Sequence, residues 1–282
     1  MLDLMNYWTE KKLLIDKKVD DFVSENKEWE VVDIVRYVTK DGKRFRGMLL
    51  LLVSESLGSG AEKSLDGALA VEILHASSLA LDDIIDQDLK RRGEDSAWVV
   101  YGNKKVILTT NFLIPTALKM ISRYGGTALK MSLDLWRNTG LGALKDLFED
   151  SNYMETIELK TSSLFELSTV LGAICAGRED LVNQAFELGR YLGLQYQIID
   201  DFIDLVRLRR GDLDHLVGSA STLYRITAGN ADLFVKRKLE EFNDRYLKAL
   251  EGLGVRREYE GLLKSIPSFF IAQLEKEETE EK

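Results

Sequence analysis

Proline is almost missing from this chain, occurring at two of 282 positions. An interior proline costs a helix about 3 kcal/mol, so a chain that avoids it can be drawn into long, uninterrupted helices. The apolar pattern agrees. Leu4, Trp8, Leu14, Ile15, Val19 and Phe22 recur at helical spacing, and no segment shows strand alternation, a glycine-rich phosphate loop, zinc-ligand spacing or a repeat. The chain reads as all-α over 1–282, one large helical domain. Helices are expected over 4–22, 31–38, 64–86, 103–122, 128–148, 152–176, 180–210, 231–253 and 259–274, with an apolar segment at 48–57, a loop at 211–220 and a charged, frayed tail at 275–282.

Composition narrows the setting. The single cysteine, Cys175, excludes an internal disulfide and fits a reducing cytoplasm. The amino-terminal segment has no basic start followed by an apolar block, and the longest apolar run, Met48–Val53, is far short of a membrane span. A soluble, cytoplasmic protein is expected, with at most peripheral membrane contact. A net charge of −9 argues against nucleic acid, so an anionic ligand must be held by local cations or by metal ions.

Two segments combine the residue types for such a ligand. In LDDIIDQDLKRRG, 81–93, Asp82 and Asp86 lie four apart and share a helix face, with Asp83 beside them and Arg91 and Arg92 following. In YQIIDDFID, 196–204, Asp200 and Asp204 repeat that spacing next to Asp201, and Gln197 sits three before Asp200 on the same face. Paired carboxylates without thiolate or imidazole partners suit Mg²⁺ or Mn²⁺, and guanidinium forks match phosphate oxygens. Facing each other, the two arrays would form a metal box. DGKRFRG, 41–47, sets Lys43, Arg44 and Arg46 against an apolar segment, which places these charges at the mouth of a cavity. His75 falls on the stripe Glu72, His75, Leu79, Asp82, Asp86. On the residues alone it fits a satisfied core position or a ligand contact equally well. The small residues Ala76, Ser77, Ser78 and Ala80 fit close helix packing or an open channel.

GKRFR at 42–46, LDDIIDQDLKRRG, the pair Lys160-Thr161 and YQIIDDFID occur in an order that resembles the trans-isoprenyl diphosphate synthases, nearest to the archaeal medium-chain, hexaprenyl type. The resemblance spans about 31–204. It implies a helical isoprenoid-synthase bundle with a central cavity, acting as a homodimer on isopentenyl diphosphate and an allylic diphosphate. By the same matching Asp82, Asp86 and Asp200 would hold Mg²⁺, with Asp83, Asp201 and Asp204 completing or supporting the cluster. Arg91, Lys160, Thr161 and Gln197 would contact the allylic diphosphate, and Lys43, Arg46, His75 and Arg92 the diphosphate of isopentenyl diphosphate. Three departures stand out: Gly47 where the family usually has proline, Asn111 in place of a common aspartate, and Arg207, Arg209 and Arg210 where a Gly-Lys and a later Lys-Thr are usual.

Product length follows from the channel reading. Many short-chain members carry an aromatic plug where this chain has Ser77, beside Ala76, so the resemblance implies an open tunnel and a product longer than twenty carbons, of hexaprenyl length. Leu141, Leu164 and Phe165 are the candidate floor. The rival readings are a geranylgeranyl or farnesyl diphosphate synthase, a terpene cyclase, a non-catalytic partner subunit and a helical scaffold without catalysis. The DDFID array and the GKRFR cluster speak against the cyclase.

Overall fold

The computed structural model describes residues 3–27, 30–148 and 150–279, with side chains as far as Ala272. In chain order the helices are α1 (Leu4–Glu25), α2 (Val32–Thr39), α3 (Phe45–Ser56), α4 (Ala61–Ile85), α5 (Ala97–Tyr101), α6 (Asn103–Ile121), α7 (Gly126–Asp146), α8 (Tyr153–Ile157), α9 (Ser163–Cys175), α10 (Val182–Arg210), α11 (Gly218–Ile226), α12 (Asp232–Leu253) and α13 (Arg257–Thr279). A small antiparallel hairpin, β1 (Lys90–Arg91) with β2 (Glu94–Asp95), sits between α4 and α5. The all-α expectation holds apart from that hairpin. The segment expected to fray continues as helix to Thr279, and 280–282 lie outside the described residues.

The sequence separates inner from outer helices. α3 and α9 are buried along almost their whole length, from Phe45 to Ser56 and from Ser163 to Ile174. Helices apolar on every side belong inside a bundle. α9 packs on α3, α4, α7 and α10, so the long helices surround a central pair. α1 carries a single buried stripe, Leu4, Tyr7, Lys11, Ile15, Val19 and Phe22, and lies across α3 and α4. Lys11 is buried on that stripe because Glu55 of α3 pairs with it at 2.9 Å, while Tyr7 donates its hydroxyl to the same carboxylate.

Both prolines stand inside helices, Pro115 in α6 and Pro267 in α13. A proline in a helix interior cannot donate to the carbonyl four residues earlier. At Pro267 that carbonyl belongs to Leu263, and the buried hydroxyl of Tyr246 on α12 donates to it at 2.7 Å. Scarcity of proline therefore marks long helices, as expected, but the two that remain are tolerated inside helices.

Candidate active site

A cavity of about 690 Å³ opens where α4 and α10 come near α3 and α9. From α4 it receives Glu72, His75, Ser78, Leu79 and Asp82, one helical face at three- and four-residue steps. α10 contributes Tyr196, Gln197 and Asp200, and Lys160 and Thr161 enter from a π-helical turn, Glu158–Ser162, joining α8 to α9. A π turn carries one extra residue and re-aims the side chains on it. Lys43, Arg44 and Arg46 come from the start of α3, and Arg91 and Arg92 from the hairpin.

The acids fall into two roles. Asp82 lines the cavity near the carboxyl end of α4, and burial, with the charge of Asp86 and against Lys160, pushes its carboxyl up to about 6. Asp86 caps α4 and is exposed, close enough to Lys160 to be influenced by its charge. Asp200 is open to the cavity and enclosed elsewhere. That enclosure, together with Asp204, lifts it to about 6 against Lys43, Arg207 and Arg46. Carboxylates at the carboxyl end of α4 face the negative pole of the helix dipole, so they call for a cation from outside it.

Asp83 and Asp201, expected to complete or support the cluster, do not line the cavity. Successive helix residues point about 100° apart, which turns these two away from the cavity face. Asp83 is buried and binds Arg91, whose Nε donates to it at 2.7 Å, and it borders a separate cleft of about 150 Å³. Asp201 accepts from Tyr153, Ser219 and Gln197 at 2.8, 2.7 and 2.9 Å. Even with those bonds, burial raises it to about 7. These two acids hold the frame. Thr161 extends it, donating at 2.6 Å to the Gln197 carbonyl.

The cations divide in the same way. Arg44 turns from the cavity to pair with Asp16 at 2.7 Å and to donate to the Thr39 carbonyl. Arg46 is buried, and its Nη1 lies 2.9 Å from His75 Nε2. A guanidinium only donates, so His75 is the acceptor there and is neutral, in keeping with a pKa depressed by burial and then by Arg46. His75 therefore orients Arg46 in this arrangement and adds no charge of its own. Arg46 Nε is buried without a hydrogen-bond partner. Arg92 donates to the Lys40 carbonyl at 2.6 Å, Arg209 is committed to Asp232, and Arg207 acts on Asp200.

Asp146 escaped the sequence reading. It sits at the end of α7, accepts from Lys160 Nζ at 2.6 Å, and its charge reaches Asp82 and Asp86. Its only signal in the chain was position, at the close of an apolar-periodic helix. Gly47 is explained by its amide, which donates at 2.7 Å to the buried Glu72 carboxylate and which proline would lack. Asn111 is exposed and bonds back to the Ile107 carbonyl, away from the cavity.

Several chain-length expectations are corrected. Ser77 is wholly buried, its hydroxyl on the Ile73 carbonyl, and it does not line the cavity. Five residues make 1.4 helical turns, so Ser77 cannot share the face of Asp82. Ala76 borders the smaller cleft. Leu141 is an exposed residue of α7 and no floor in this arrangement. Leu164 and Phe165 do line the cavity, but Phe165 lies at the charged end, with the Arg46 guanidinium 4.6 Å from its ring centroid.

Among the described residues no three carboxylate, histidine or cysteine side chains converge on a point that could hold a metal ion. Asp82 of α4 and Asp200 of α10 line one cavity. Their hard oxygen donors suit Mg²⁺ or Mn²⁺, and the unpartnered Arg46 Nε marks a place for an acceptor such as a phosphate oxygen.

A helical bundle whose cavity is lined by carboxylates from two helices and by buried guanidinium groups suits an enzyme acting on diphosphate esters. Residues 29–211 match the family described as polyprenyl synthetase. The chain is 43% identical over 278 residues to a hexaprenyl pyrophosphate synthase of Saccharolobus solfataricus, covering 98% of each chain. A solved geranyltranstransferase from Methanosarcina mazei superposes with a TM-score of 0.74 at 28% identity, over 92% of this chain and 97% of that one. A geranylgeranyl pyrophosphate synthetase from Pyrococcus horikoshii superposes at 0.79 and 24% identity, over 95% and 98%, which speaks for the fold alone. The chain belongs to the polyprenyl synthetase family and is a trans-prenyltransferase.

Proposed function

We propose that the protein makes all-trans hexaprenyl diphosphate by Mg²⁺-dependent, head-to-tail condensation of isopentenyl diphosphate onto an allylic diphosphate. The observation that carries the reading is the cavity itself, lined by Asp82 and Asp200 from two helices together with Arg46, whose Nε has no partner, Lys43 and Lys160. Likeness along nearly the whole chain to a hexaprenyl pyrophosphate synthase supports the product length. Asp82, Asp86 and Asp200 would hold Mg²⁺, or Mn²⁺ in its place. Bound there, the metal supplies charge neutralisation for the leaving diphosphate.

The chain's own groups do the rest. Lys160, fixed by Asp146, and the Thr161–Gln197 bond set the donors facing the allylic diphosphate. Arg91 completes them, held in place by Asp83. Arg46, oriented by His75, with Lys43 and Arg92, holds the second diphosphate. Fixing two anionic esters side by side makes the carbon–carbon step effectively intramolecular. The released diphosphate takes the proton lost at the end, so no protein base is required.

Exposed apolar residues on α6 and α7 support a homodimer. No described helix is long and apolar enough to cross a membrane, and with the unpaired Cys175 this supports a cytoplasmic enzyme with at most peripheral membrane contact. A geranylgeranyl-length product is the second reading, supported by the bulky Leu79 and Leu164 among the lining residues.

Incubation with labelled isopentenyl diphosphate, farnesyl diphosphate and Mg²⁺, followed by sizing of the dephosphorylated products, tests the proposal. A thirty-carbon alcohol is expected, and a twenty-carbon end product would select the second reading. Chelation with EDTA and Asp82→Ala should each abolish turnover; activity surviving both overturns the metal assignment.

A further inference from the structure

Six aromatic rings from five helices form one side of the cavity: Trp8, Phe45, Phe165, Tyr196, Phe269 and Phe270. Phe270 is central. Its centroid lies 5.2 Å from those of Phe45 and Tyr196 and 6.5 Å from that of Phe165. The array meets the charged end of the cavity at Phe165, under the Arg46 guanidinium. It meets the acidic wall at Tyr196, whose hydroxyl feels the charge of Asp200.

The chain holds Phe270 there by deliberate fastening. Pro267 frees the Leu263 carbonyl one turn before it, and Tyr246 takes that carbonyl at 2.7 Å. On the other side Trp8 packs edge-on to Phe269 at 5.2 Å, and its indole donates to the Lys43 carbonyl at 2.7 Å. The carboxyl-terminal helix is thus pinned to α12, to α1 and, through Lys43, to the basic loop. The ring under Arg46 is that of Phe165, and Phe270, 6.5 Å from it, lines the same cavity, so the group joined to a diphosphate bound by Arg46 enters beside this aromatic side. For isopentenyl diphosphate that is a five-carbon alkenyl group.

We propose that Phe270, brought into the cavity by the carboxyl-terminal helix, contacts the alkenyl group of isopentenyl diphosphate and sets the specificity of the acceptor site. This rests on the function proposed above. The allylic C–O bond breaks with both electrons leaving on diphosphate, and the alkene π pair forms the new C–C bond. The resulting tertiary cation then loses a proton to the released diphosphate, giving the new double bond. An aromatic face beside that cation stabilises it and keeps water from it.

The test compares Phe270→Leu, Phe270→Tyr and, as a same-helix control from the fully buried core, Ile266→Val. Kinetics with each substrate varied, the yield of prenyl alcohol from water attack, and thermal unfolding are measured. Phe270→Leu is expected to lower kcat/KM for isopentenyl diphosphate roughly tenfold, within the range of a desolvated cation–π contact. The same variant should leave KM for the allylic substrate nearly unchanged and raise the share of alcohol. Phe270→Tyr should retain most activity, and Ile266→Val should match the wild type. An unchanged kcat/KM for isopentenyl diphosphate overturns the proposal, as does an equal loss for both substrates with a lowered Tm. If Phe270→Leu does not fold, Phe270→Met replaces it. If the wild type condenses nothing, the function above has failed, and calorimetry of isopentenyl diphosphate binding to wild type and variant still decides the role of Phe270.

Discussion

Glu166 is a carboxyl group that neither diphosphate site uses. It lies on α9, only 2% exposed, and burial, then Glu158 against Arg190 and with Glu187, raises it to about 8. In the folded protein it stays protonated at neutral pH, whereas in the unfolded chain it ionises above the ordinary glutamate value of about 4.3. Its favourable contribution is therefore complete below that value and declines until the pH passes about 8. Glu166→Gln keeps the size and removes the titration. Thermal unfolding should show wild type and variant close together at pH 5 and the variant higher by roughly 5 °C at pH 9, a gap worth a few kcal/mol in a chain of this size. Equal melting temperatures at both pH values would remove Glu166 as a source of alkaline instability. Leu164 carries the other prediction at this scale. It is buried against the cavity one turn beyond Lys160. Leu164→Ala removes a side chain from the cavity wall and should lengthen the products by at least one five-carbon unit on chromatography, at a stability cost of roughly 2–5 kcal/mol.

Among the elements, the contact of α7 with the π turn decides where Lys160 stands. A Cβ built on Gly142 would lie 2.1 Å from the Lys160 nitrogen and 2.5 Å from its Cα, so the two backbones touch there and only glycine fits. Gly142→Ala must push the turn away from α7, separating Lys160 from Asp146. Activity should fall tenfold or more, and stability by roughly 1–3 kcal/mol; an active variant with normal Tm would show that the contact is loose. The same contact explains why Asp146 was illegible in the sequence. It is fourteen residues from its partner, and only the packing of two helices joins them. Long helices were legible because 3.6-residue periodicity persists over several turns. Their neighbours were not: α5 has five residues, too few to show a period, and each hairpin strand has two. The left-handed backbone at Arg92 and Gly93 that turns this hairpin carries little local signal, since only one of the two is glycine. Within the site, helical spacing put Asp82 on one stripe with Glu72 and His75. It could not say that Asp201 and Arg44 would be taken up by Tyr153 and Asp16, which come from distant parts of the chain, nor that the hairpin would fold Arg91 back onto Asp83 eight residues away.

At the scale of the whole molecule, one face remains apolar without a covering element among the described residues. On α7, Leu133, Leu141 and Leu144 fall on a stripe at eight- and three-residue steps, and Leu133 and Leu144 are 49% and 52% exposed. On the adjacent α6, Ile107 and Leu108 are also exposed, Leu108 to 68%. Scattered apolar residues on a surface are ordinary, but a contiguous stripe over two packed helices is what a second subunit covers. A twofold dimer uses the same patch on both chains. The proposed homodimer would put the exposed Leu141 in its interface. Such a dimer would couple assembly to catalysis, because α7 ends in Asp146 and holds the Lys160 turn through Gly142. Sedimentation of the wild type should give twice the mass of one chain, and Leu108→Glu combined with Leu133→Glu should give one. The separated chain, with α7 unsupported, should also lose most of its turnover. A monomeric wild type would sink the dimer. A dissociated variant with full turnover would leave the dimer standing but show that α7 holds Lys160 in place by itself.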